Sequence, residues 1–388
     1  MITSVLIVHQ HLIYGGAEKY TLNLVNSLVD KGIKVALVTG EGPLAEYLSP
    51  KVNHYIVPIS RSPHVKKQTE ISIYKIAKAH QVQIIHTQCR TSMLNSQLAR
   101  TKLQIPLITH EHHMYNPEEY TQAVEELQEG ADKIITIGPY TAQALIENGL
   151  QKSITPIING INMKNILPIS QKEKFIARSS LNLEKSDKVI VCISRLEPGK
   201  GIDKLVRAFA IVAQTLPQAK LVVVGDDATQ KTLSQITRIV KKHKLTNNFF
   251  YYPGEYNIRK YHAIADVFCY PPLGKGMAVM EAMAAGLPVV GKKTVKKPLV
   301  VEDKINGLMT EPSALYSIDP DQIAEKLIYL LHRPQLCRSM GKLGRKKIMS
   351  EFTLQRVIHH VLKVYSDTLL DHSLGNIIST ENYLTRTL

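Results

Sequence analysis

Residues 191–206, VCISRLEPGKGIDKLV, decide the fold of the second half of the chain. The stretch begins in an apolar run that ends at Ser194, and uninterrupted runs of this kind are typical of strands buried on both faces. Gly199 and Gly201 indicate a turn, and a helix-compatible segment begins near Ile202. The pattern therefore predicts a strand, a turn and a helix, the repeating unit of a parallel α/β sheet.

The same alternation of apolar runs and helical segments recurs through most of the chain. The strand-like runs are SVLIVH, IKVALVT, HYIVPI, VQIIHT, IPLITH and DKIITI in the first half, and KVIVCISRL, AKLVVVGD, NNFFYYPG, ADVFCYPP and LPVVG in the second. Between the halves, residues 156–174 collect Pro, Asn and Gly without periodicity, which indicates a linker. We predict two doubly wound Rossmann-like domains, 1–165 and 185–350, facing each other across a cleft, followed by helical residues 351–374.

The composition indicates a folded protein of the cytoplasm. Of its 388 residues, 44% are hydrophobic, and no apolar run approaches the roughly 20 residues of a membrane span. The first apolar run is short and follows no basic segment, so we interpret it as a strand and not as a signal peptide. The chain has four well-separated cysteines, which we expect to be free thiols in a reducing compartment: Cys89, Cys192, Cys269 and Cys337.

The net charge of +15 is concentrated in the second half of the chain. Residues 1–160 carry 14 Lys and Arg against 13 Asp and Glu, which leaves 34 against 20 for the rest. A basic half-molecule suggests an anionic ligand or surface. Aromatic residues make up only 6% and Trp is absent, so the base-stacking platform of a nucleic-acid-binding protein is not expected.

Arg195 and Lys200 lie in the turn that follows the strand of the opening stretch. A planar guanidinium, an ammonium and the exposed N–H groups of a helix N-terminus together suit a diphosphate. The alternative is a pair of solvated surface cations. The two flanking glycines favour the phosphate site, because they let a ligand approach the backbone.

Two further segments of the first half carry candidate groups at strand ends. Gly15 and Gly16 precede a helix and suit close approach of a ligand, although a plain tight turn explains them almost as well. PLITHEHH ends a strand in His110, Glu111, His112 and His113, which are not expected to belong to the core. A neutral imidazole there can donate to a sugar hydroxyl. The alternative is a metal site, with further ligands from His9, His11 or His86.

Residues 269–291, CYPPLGKGMAVMEAMAAGLPVVG, form a second strand, turn and helix. Gly274 and Gly276 precede the helix, whose N-terminal N–H groups are a second anion site. Glu281 lies in an otherwise apolar helix. An exposed helix charge is the alternative, but the apolar surroundings favour a buried carboxylate that accepts hydrogen bonds from ribose hydroxyls.

In their order along the chain, these segments resemble the retaining glycosyltransferases of family 4, which have the α/β GT-B fold. The resemblance rests on GGAE, THEH, IINGIN, SRLEPGKG, VVVGD, ADVFCYPP, EAMAAGLPVV and VEDKINGL. It implies that Arg195 and Lys200 hold the diphosphate of a nucleotide-sugar, that Glu281 holds the ribose and that His110 contacts the transferred sugar. It further implies a C-terminal helix that returns to the first domain. The remaining donor-binding residues that it implies are Gly15, Gly16, Tyr251, Tyr252, Gly274, Lys275, Gly276, Met277 and Ala278.

Two positions depart from the family pattern. The first acid of the family's Glu-x7-Glu motif is Leu273 here, and the resemblance implies that a contact to the transferred sugar is lost, which predicts an altered donor choice or a lower rate. Residues 294–303, TVKKPLVVED, replace a Gly-Gly-x-Pro-Glu loop. Lys275, Lys296 and Lys297 add positive charge and suit an anionic donor or acceptor.

The function that we predict is metal-independent, retaining hexosyl or related glycosyl transfer without a cofactor. The donor is a UDP- or GDP-sugar, and the acceptor is a glycan, a lipid-linked saccharide or a small molecule. A cluster of cations in the first domain suits the acidic inner face of a membrane, or is simply solvated: Arg61, Lys66, Lys67, Lys75 and Lys78. The alternatives are a non-catalytic GT-B subunit that supports an active partner, and a nucleotide-sugar epimerase or hydrolase.

Overall fold

The computed structural model describes residues 2–112, 115–163, 166, 168–227, 230–273, 276–293, 300–311 and 318–384. The chain divides into two compact units. The first unit comprises residues 1–159 and 354–388, and the second comprises residues 160–353. Each unit contains one parallel sheet with helices on both faces, which confirms the predicted pair of Rossmann-like α/β domains.

The first unit contains a seven-stranded sheet in the order β3-β2-β1-β4-β5-β6-β7. Its strands are β1 (Ser4–Val8), β2 (Lys34–Thr39), β3 (Asn53–Ile56), β4 (Ile84–Thr87), β5 (Leu107–Glu111), β6 (Lys133–Thr136) and β7 (Ile154–Pro156). The helices between them are α1 (Gly16–Asp30), α2 (Pro63–Ala79), α3 (Arg90–Leu94), α4 (Gln97–Leu103), α5 (Tyr120–Gly130) and α6 (Pro139–Glu147), with 3₁₀ turns at Pro43–Tyr47 and Pro117–Glu119.

The second unit contains a six-stranded sheet in the order β10-β9-β8-β11-β12-β13. Its strands are β8 (Lys188–Ile193), β9 (Ala219–Val224), β10 (Phe249–Tyr252), β11 (Val267–Leu273), β12 (Val289–Lys293) and β13 (Gly307–Thr310). Its helices are α7 (Gln171–Ser180), α8 (Ile202–Thr215), α9 (Lys231–Lys242), α10 (Arg259–Ile264), α11 (Met277–Ala284), α12 (Pro320–Leu331) and α13 (Pro334–Glu351). The last helix of the chain, α14 (Leu354–Leu384), belongs to the first unit and packs against α1.

Helix α7 lies in the segment 166–184, which the sequence analysis assigns to neither domain. Its Lys174 and Arg178 bind the two carboxylate oxygens of Asp266, with Nζ–Oδ1 and Nη2–Oδ2 distances of 2.6 and 2.9 Å. The two cations lower the pKa of Asp266 against the opposing effect of burial. These ion pairs connect α7 to Asp266, the residue that precedes β11. Helix α7 is therefore an integral part of the second unit.

The strand order reverses once in each sheet, between β1 and β4 and between β8 and β11. At such a reversal the connections on the two sides leave in opposite directions and open a crevice at the carboxyl ends of the strands. Strands β1, β4, β8 and β11 are lined with apolar residues that are fully buried, as uninterrupted apolar runs predict. Ligand-binding groups are therefore expected just beyond these four strands.

Candidate functional site

The turn after β8 lies at the strand-order reversal of the second unit. Arg195 is exposed, and its Nη1 lies 3.1 Å from Oε1 of Glu197. Lys200 is half-buried and immediately precedes Gly201, the N-cap of α8. Gly201 has a φ of +65°, and a Cβ there would lie 3.1 Å from Cβ of Pro271. The left-handed backbone and this close approach require glycine, and they hold the cationic turn against the end of β11.

Tyr270 connects this turn to the beginning of α11. Burial raises the pKa of its phenol, and Ser194, the residue after β8, lies close enough to oppose that rise. A Cβ on Gly276, the N-cap of α11, would lie 4.0 Å from the Tyr270 ring. The phenol therefore stays protonated beneath a helix N-terminus and beside the cationic turn. Tyr270 was not expected from the sequence, although a polar aromatic residue within β11 was a usable signal.

The residues predicted around α11 have mixed outcomes. Glu281 is only 5% exposed, so it is buried as expected and is not an exposed helix charge. Met277 is also buried, in the first turn of α11, and Ala278 is partly buried. Gly274 and Lys275 lie outside the described residues, as do Lys296 and Lys297. The role of Glu281 toward a ribose stays a prediction.

Tyr251 and Tyr252 lie on β10, the edge strand, which β9 separates from β8. The Tyr251 hydroxyl donates to the carbonyl oxygen of Gly225 over 3.0 Å, and Tyr252 packs on Tyr261 with ring centroids 5.5 Å apart. The Tyr251 hydroxyl therefore reaches the residue after β9, and Gly225 packs on the backbone of Ser194 and Arg195. A contact with a nucleotide base stays a prediction for both.

At the reversal of the first unit, three imidazole rings form a stack that we call the histidine stack: His86, His110 and His112. The rings of His86 and His110 are 6.0 Å apart with an interplanar angle of 6°, and those of His110 and His112 are 4.1 Å apart at 20°. The edge of Tyr20 packs on His110 at 4.8 Å. His113 lies outside the described residues.

His110 is completely buried, and Glu111 beside it is as well. Contrary to expectation, this strand end is therefore part of the core. The Glu111 carboxylate accepts hydrogen bonds from Thr109 and from the Tyr115 hydroxyl. Neither ring nitrogen of His110 has a hydrogen-bond partner among the described residues. Since buried polar atoms are nearly always paired, two unpaired nitrogens on one ring indicate a group prepared for a ligand.

Burial keeps His9, His86 and His110 neutral. It lowers the pKa of His86 to about 3, and together with the neighbouring His11 it lowers the pKa of His9 to about 3. The pKa of His110 is also far below its usual value, through burial first and then through His112 and His86. A neutral imidazole has one donor and one acceptor nitrogen, which suits a sugar hydroxyl.

The alternative of a metal site finds no support in the described part of the chain. No group of three or more His, Cys, Asp or Glu side chains there is arranged to hold a metal ion. Two of the candidate ligands bind neighbours instead. Nδ1 of His9 is 2.9 Å from Oγ1 of Thr21, and Nε2 of His112 is 2.9 Å from Oε1 of Gln88.

Gly15 and Gly16 begin α1, directly beyond β1. A Cβ on Gly15 would lie 2.1 Å from Oε2 of Glu18, because the Glu18 side chain folds back over the helix N-terminus. Glu18 is buried, and its Oε1 lies 3.6 Å from Nε2 of His11. A phosphate at this helix terminus therefore requires the Glu18 carboxylate to move, because two anions repel each other.

The cations near α2 divide into two groups. Arg61 binds Glu126 through two hydrogen bonds of 2.7 and 2.9 Å, and Lys66 lies 3.6 Å from Glu70. Lys67, Lys75 and Lys78 are exposed. Within the described residues, no helix combines the length and apolar character needed to cross a membrane.

Two family models match successive parts of the chain. Residues 14–165 match Glycosyltransferase Family 4, and residues 173–347 match Glycosyl transferases group 1. Together they span nearly all of both sheets that carry the two sites. The chain is a GT-B glycosyltransferase. Its Rossmann-like pair of sheets is the architecture expected of this fold.

This glycosyltransferase is similar to enzymes along nearly its whole length. It is 24% identical to an uncharacterized glycosyltransferase of Haemophilus influenzae, over 89% of this chain and 94% of the relative. It is 22% identical to the UDP-Gal:alpha-D-GlcNAc-diphosphoundecaprenol alpha-1,3-galactosyltransferase of Escherichia coli, over 92% and 95%. Its fold is similar to that of Anabaena HepE in complex with UDP and glucose, with a TM-score of 0.81, 20% identity and coverage of 93% and 99%.

Proposed function

We propose that this glycosyltransferase moves a hexosyl or related sugar from a UDP- or GDP-sugar to an acceptor hydroxyl, with retention of anomeric configuration and without a metal. The observation that carries the proposal is the arrangement at the reversal of the second sheet. There Arg195, Lys200, the Tyr270 phenol and the N-terminus of α11 surround the ends of neighbouring strands. Structural neighbours in complex with UDP or UDP-glucose support a nucleotide-sugar as donor.

In this proposal Arg195 and Lys200 bind the diphosphate, and the first N–H groups of α11 bind it from the other side. These groups stabilise the negative charge that develops as the bond from the anomeric carbon to the phosphate oxygen breaks. Glu281 binds the ribose hydroxyls, and His110 binds the sugar. Arg195 exchanges Glu197 for phosphate at small cost, because an ion pair between two side chains that are each 41% exposed contributes about 0–1 kcal/mol.

Retention is supported by the state of the candidate bases in the first unit. The Glu111 carboxylate is engaged by two hydroxyl groups, and the low pKa of His110 makes it a weak base. We therefore propose that no side chain deprotonates the acceptor. The acceptor oxygen bonds to the anomeric carbon on the face that the diphosphate leaves, and its proton passes to the released phosphate oxygen.

A screen of nucleotide-sugars tests this proposal. We expect UDP- or GDP-sugars to raise the melting temperature, since a ligand that binds only the folded state stabilises it by mass action. The anomeric configuration of the product, measured by ¹H NMR, should equal that of the donor. Lack of binding by any nucleotide diphosphate would favour a non-catalytic subunit. Release of free nucleotide diphosphate without an acceptor would favour a hydrolase. Conversion of the donor sugar into its epimer would favour an epimerase.

We further propose that the exposed cations of α2 bring the enzyme to an acidic membrane surface, which suits a lipid-linked acceptor. Lys67, Lys75 and Lys78 are available for this contact, and Ile71 between them is 41% exposed. Changing the three lysines to Glu should abolish co-sedimentation with vesicles that contain phosphatidylglycerol. The charge-matched control changes three exposed lysines of the second unit to Glu: Lys241, Lys242 and Lys244. This control protein should still co-sediment with the vesicles through α2.

A further inference from the structure

Tyr365 connects the C-terminal helix to the histidine stack. It lies on α14, is completely buried, and its hydroxyl is 2.7 Å from Nδ1 of His86. Its ring meets the His86 ring edge-on, with centroids 5.5 Å apart. Residues 86 and 365 are separated by 279 positions, so the contact joins the end of the chain to the centre of the first sheet.

This hydrogen bond fixes the His86 ring of the stack. The Tyr365 hydroxyl and Nδ1 of His86 share this hydrogen bond, and which of them donates depends on the tautomer of His86. Nε2 of His86 has no partner among the described residues, so the bond to Tyr365 is the contact that favours one tautomer over the other. The tautomer and the rotation of His86 about its side-chain bonds therefore both depend on Tyr365.

His110 has no such bond of its own. Since neither of its nitrogens is paired among the described residues, its ring is oriented by the rings that pack around it, His86, His112 and Tyr20. His112 is held in turn by Gln88. The two rings next to His110 are fixed by hydrogen bonds, whereas both nitrogens of His110 stay available.

We propose that Tyr365 is a positioning residue for glycosyl transfer, which acts through His86 to hold His110 in the orientation that binds the sugar. The inference rests on the proposed role of His110. It makes the C-terminal helix a functional part of the active site, beyond its packing on the first unit. Because reaction rates depend steeply on alignment, a small rotation of His110 lowers turnover more than donor affinity.

Tyr365→Phe tests this inference, because it removes the hydroxyl and keeps the ring. We expect kcat to fall about five- to tenfold while the Kd for the nucleoside diphosphate stays unchanged. In ¹⁵N-histidine NMR spectra, the His86 nitrogens should shift toward a mixture of tautomers, and the His110 ring signals should move. The matched control is Tyr55→Phe, which removes a tyrosine–histidine hydrogen bond of the same length, 2.7 Å to Nε2 of His80, elsewhere in the first unit.

The NMR measurement separates this inference from the proposed function. If the wild-type protein transfers no sugar, the proposed function fails, and a moving His110 signal in Tyr365→Phe still supports the positioning. An unchanged His110 signal, or an unchanged kcat in an active enzyme, overturns the inference. If Tyr365→Phe does not fold, the same measurements are made on His86→Phe. This substitution removes the hydrogen-bond partner of Tyr365 and keeps an aromatic ring. Where both fold, the double variant should lose no more activity than either single one, and additive losses would also overturn the inference.

Discussion

Leu273 is the residue at which the site differs most from the family pattern that the sequence resembles. It ends β11 and pairs in register with Lys293 on β12. Lys293 in turn lies 3.7 Å from Glu311. A leucine in place of an acid cannot accept a hydrogen bond from a sugar hydroxyl. We propose that this difference alters the choice of donor sugar.

Leu273→Glu should therefore change which donor is preferred. A hydrogen bond between a charged group and a hydroxyl contributes about 1.5–3 kcal/mol, so the ratio of kcat/KM between a neutral and an acidic sugar should rise about ten- to a hundredfold. The measurement is kcat/KM for matched pairs of nucleotide-sugars. Leu343→Glu on α13, at a residue that is 44% exposed, adds the same charge away from the site and should leave the ratio unchanged. An unchanged ratio in Leu273→Glu would remove this explanation of donor choice.

Some residues of the site could be predicted from the sequence and others could not, for physical reasons. Arg195 and Lys200 follow a recognisable strand between glycines, and Glu281 lies in a helix too apolar to be exposed. The burial of His110 was not expected, because a sequence does not reveal that an imidazole packs against two others. Tyr365 was missed because a contact over 279 positions leaves no local pattern.

At the scale of elements, α13 holds α11 in place, and with it Glu281. Gly341 of α13 packs on the turn after α11 so closely that a Cβ there would lie 1.8 Å from the carbonyl oxygen of Gly286. Gly344, one turn further along the same helix, is less crowded, since a Cβ there would meet its nearest neighbour, in Met283, at 3.5 Å. The packing of α13 on α11 therefore requires glycine at position 341 but not at position 344.

Gly341→Ala and Gly344→Ala should have opposite effects on stability. The first forces α13 away from α11 and should lower the free energy of unfolding by about 2–3 kcal/mol, as overpacking does. The second adds a better helix former without a clash and should raise it by up to about 1 kcal/mol. Urea unfolding measures both. Equal effects of the two substitutions would show that the packing of α13 on α11 is not what requires Gly341.

At the scale of the whole molecule, three buried histidines make the first unit sensitive to acid. The pKa of His9 and His86 is about 3 in the folded protein, and that of His110 is also strongly lowered. In the unfolded chain these groups titrate near 6.5. As the pH falls below 6.5 the unfolded chain binds protons that the folded unit excludes, so stability is lost between about pH 6.5 and 3.

Each of these histidines should lower the free energy of unfolding by about 1.4 kcal/mol per pH unit once the pH is well below 6.5. His9→Gln removes one titrating group and should reduce the pH dependence by that amount, as measured by urea unfolding at pH 7.5, 6.5, 5.5 and 4.5. The control is the same substitution at an exposed residue of α2, His64→Gln. A His9→Gln protein with the pH dependence of the wild type would contradict the buried neutral state.

The overall architecture was predictable because parallel strands buried on both faces leave long apolar runs, and each of the two sheets contains such runs. The assignment of α7 to the second unit was not predictable. It depends on two cations of α7 that bind Asp266, a residue distant in the sequence. The strand orders, and with them the places where the order reverses, follow from the topology of doubly wound sheets once the units are separated.

The central claim is that the cationic turn after β8 binds the diphosphate of a nucleotide-sugar. Calorimetric titration with UDP and GDP tests it most directly, in wild type, Lys200→Ala and the control Lys204→Ala, whose lysine is paired with Asp203 in the first turn of α8. We predict that Lys200→Ala weakens binding about ten- to a hundredfold and that Lys204→Ala binds like the wild type. Equal affinities in all three proteins, or no binding in the wild type, would contradict the claim.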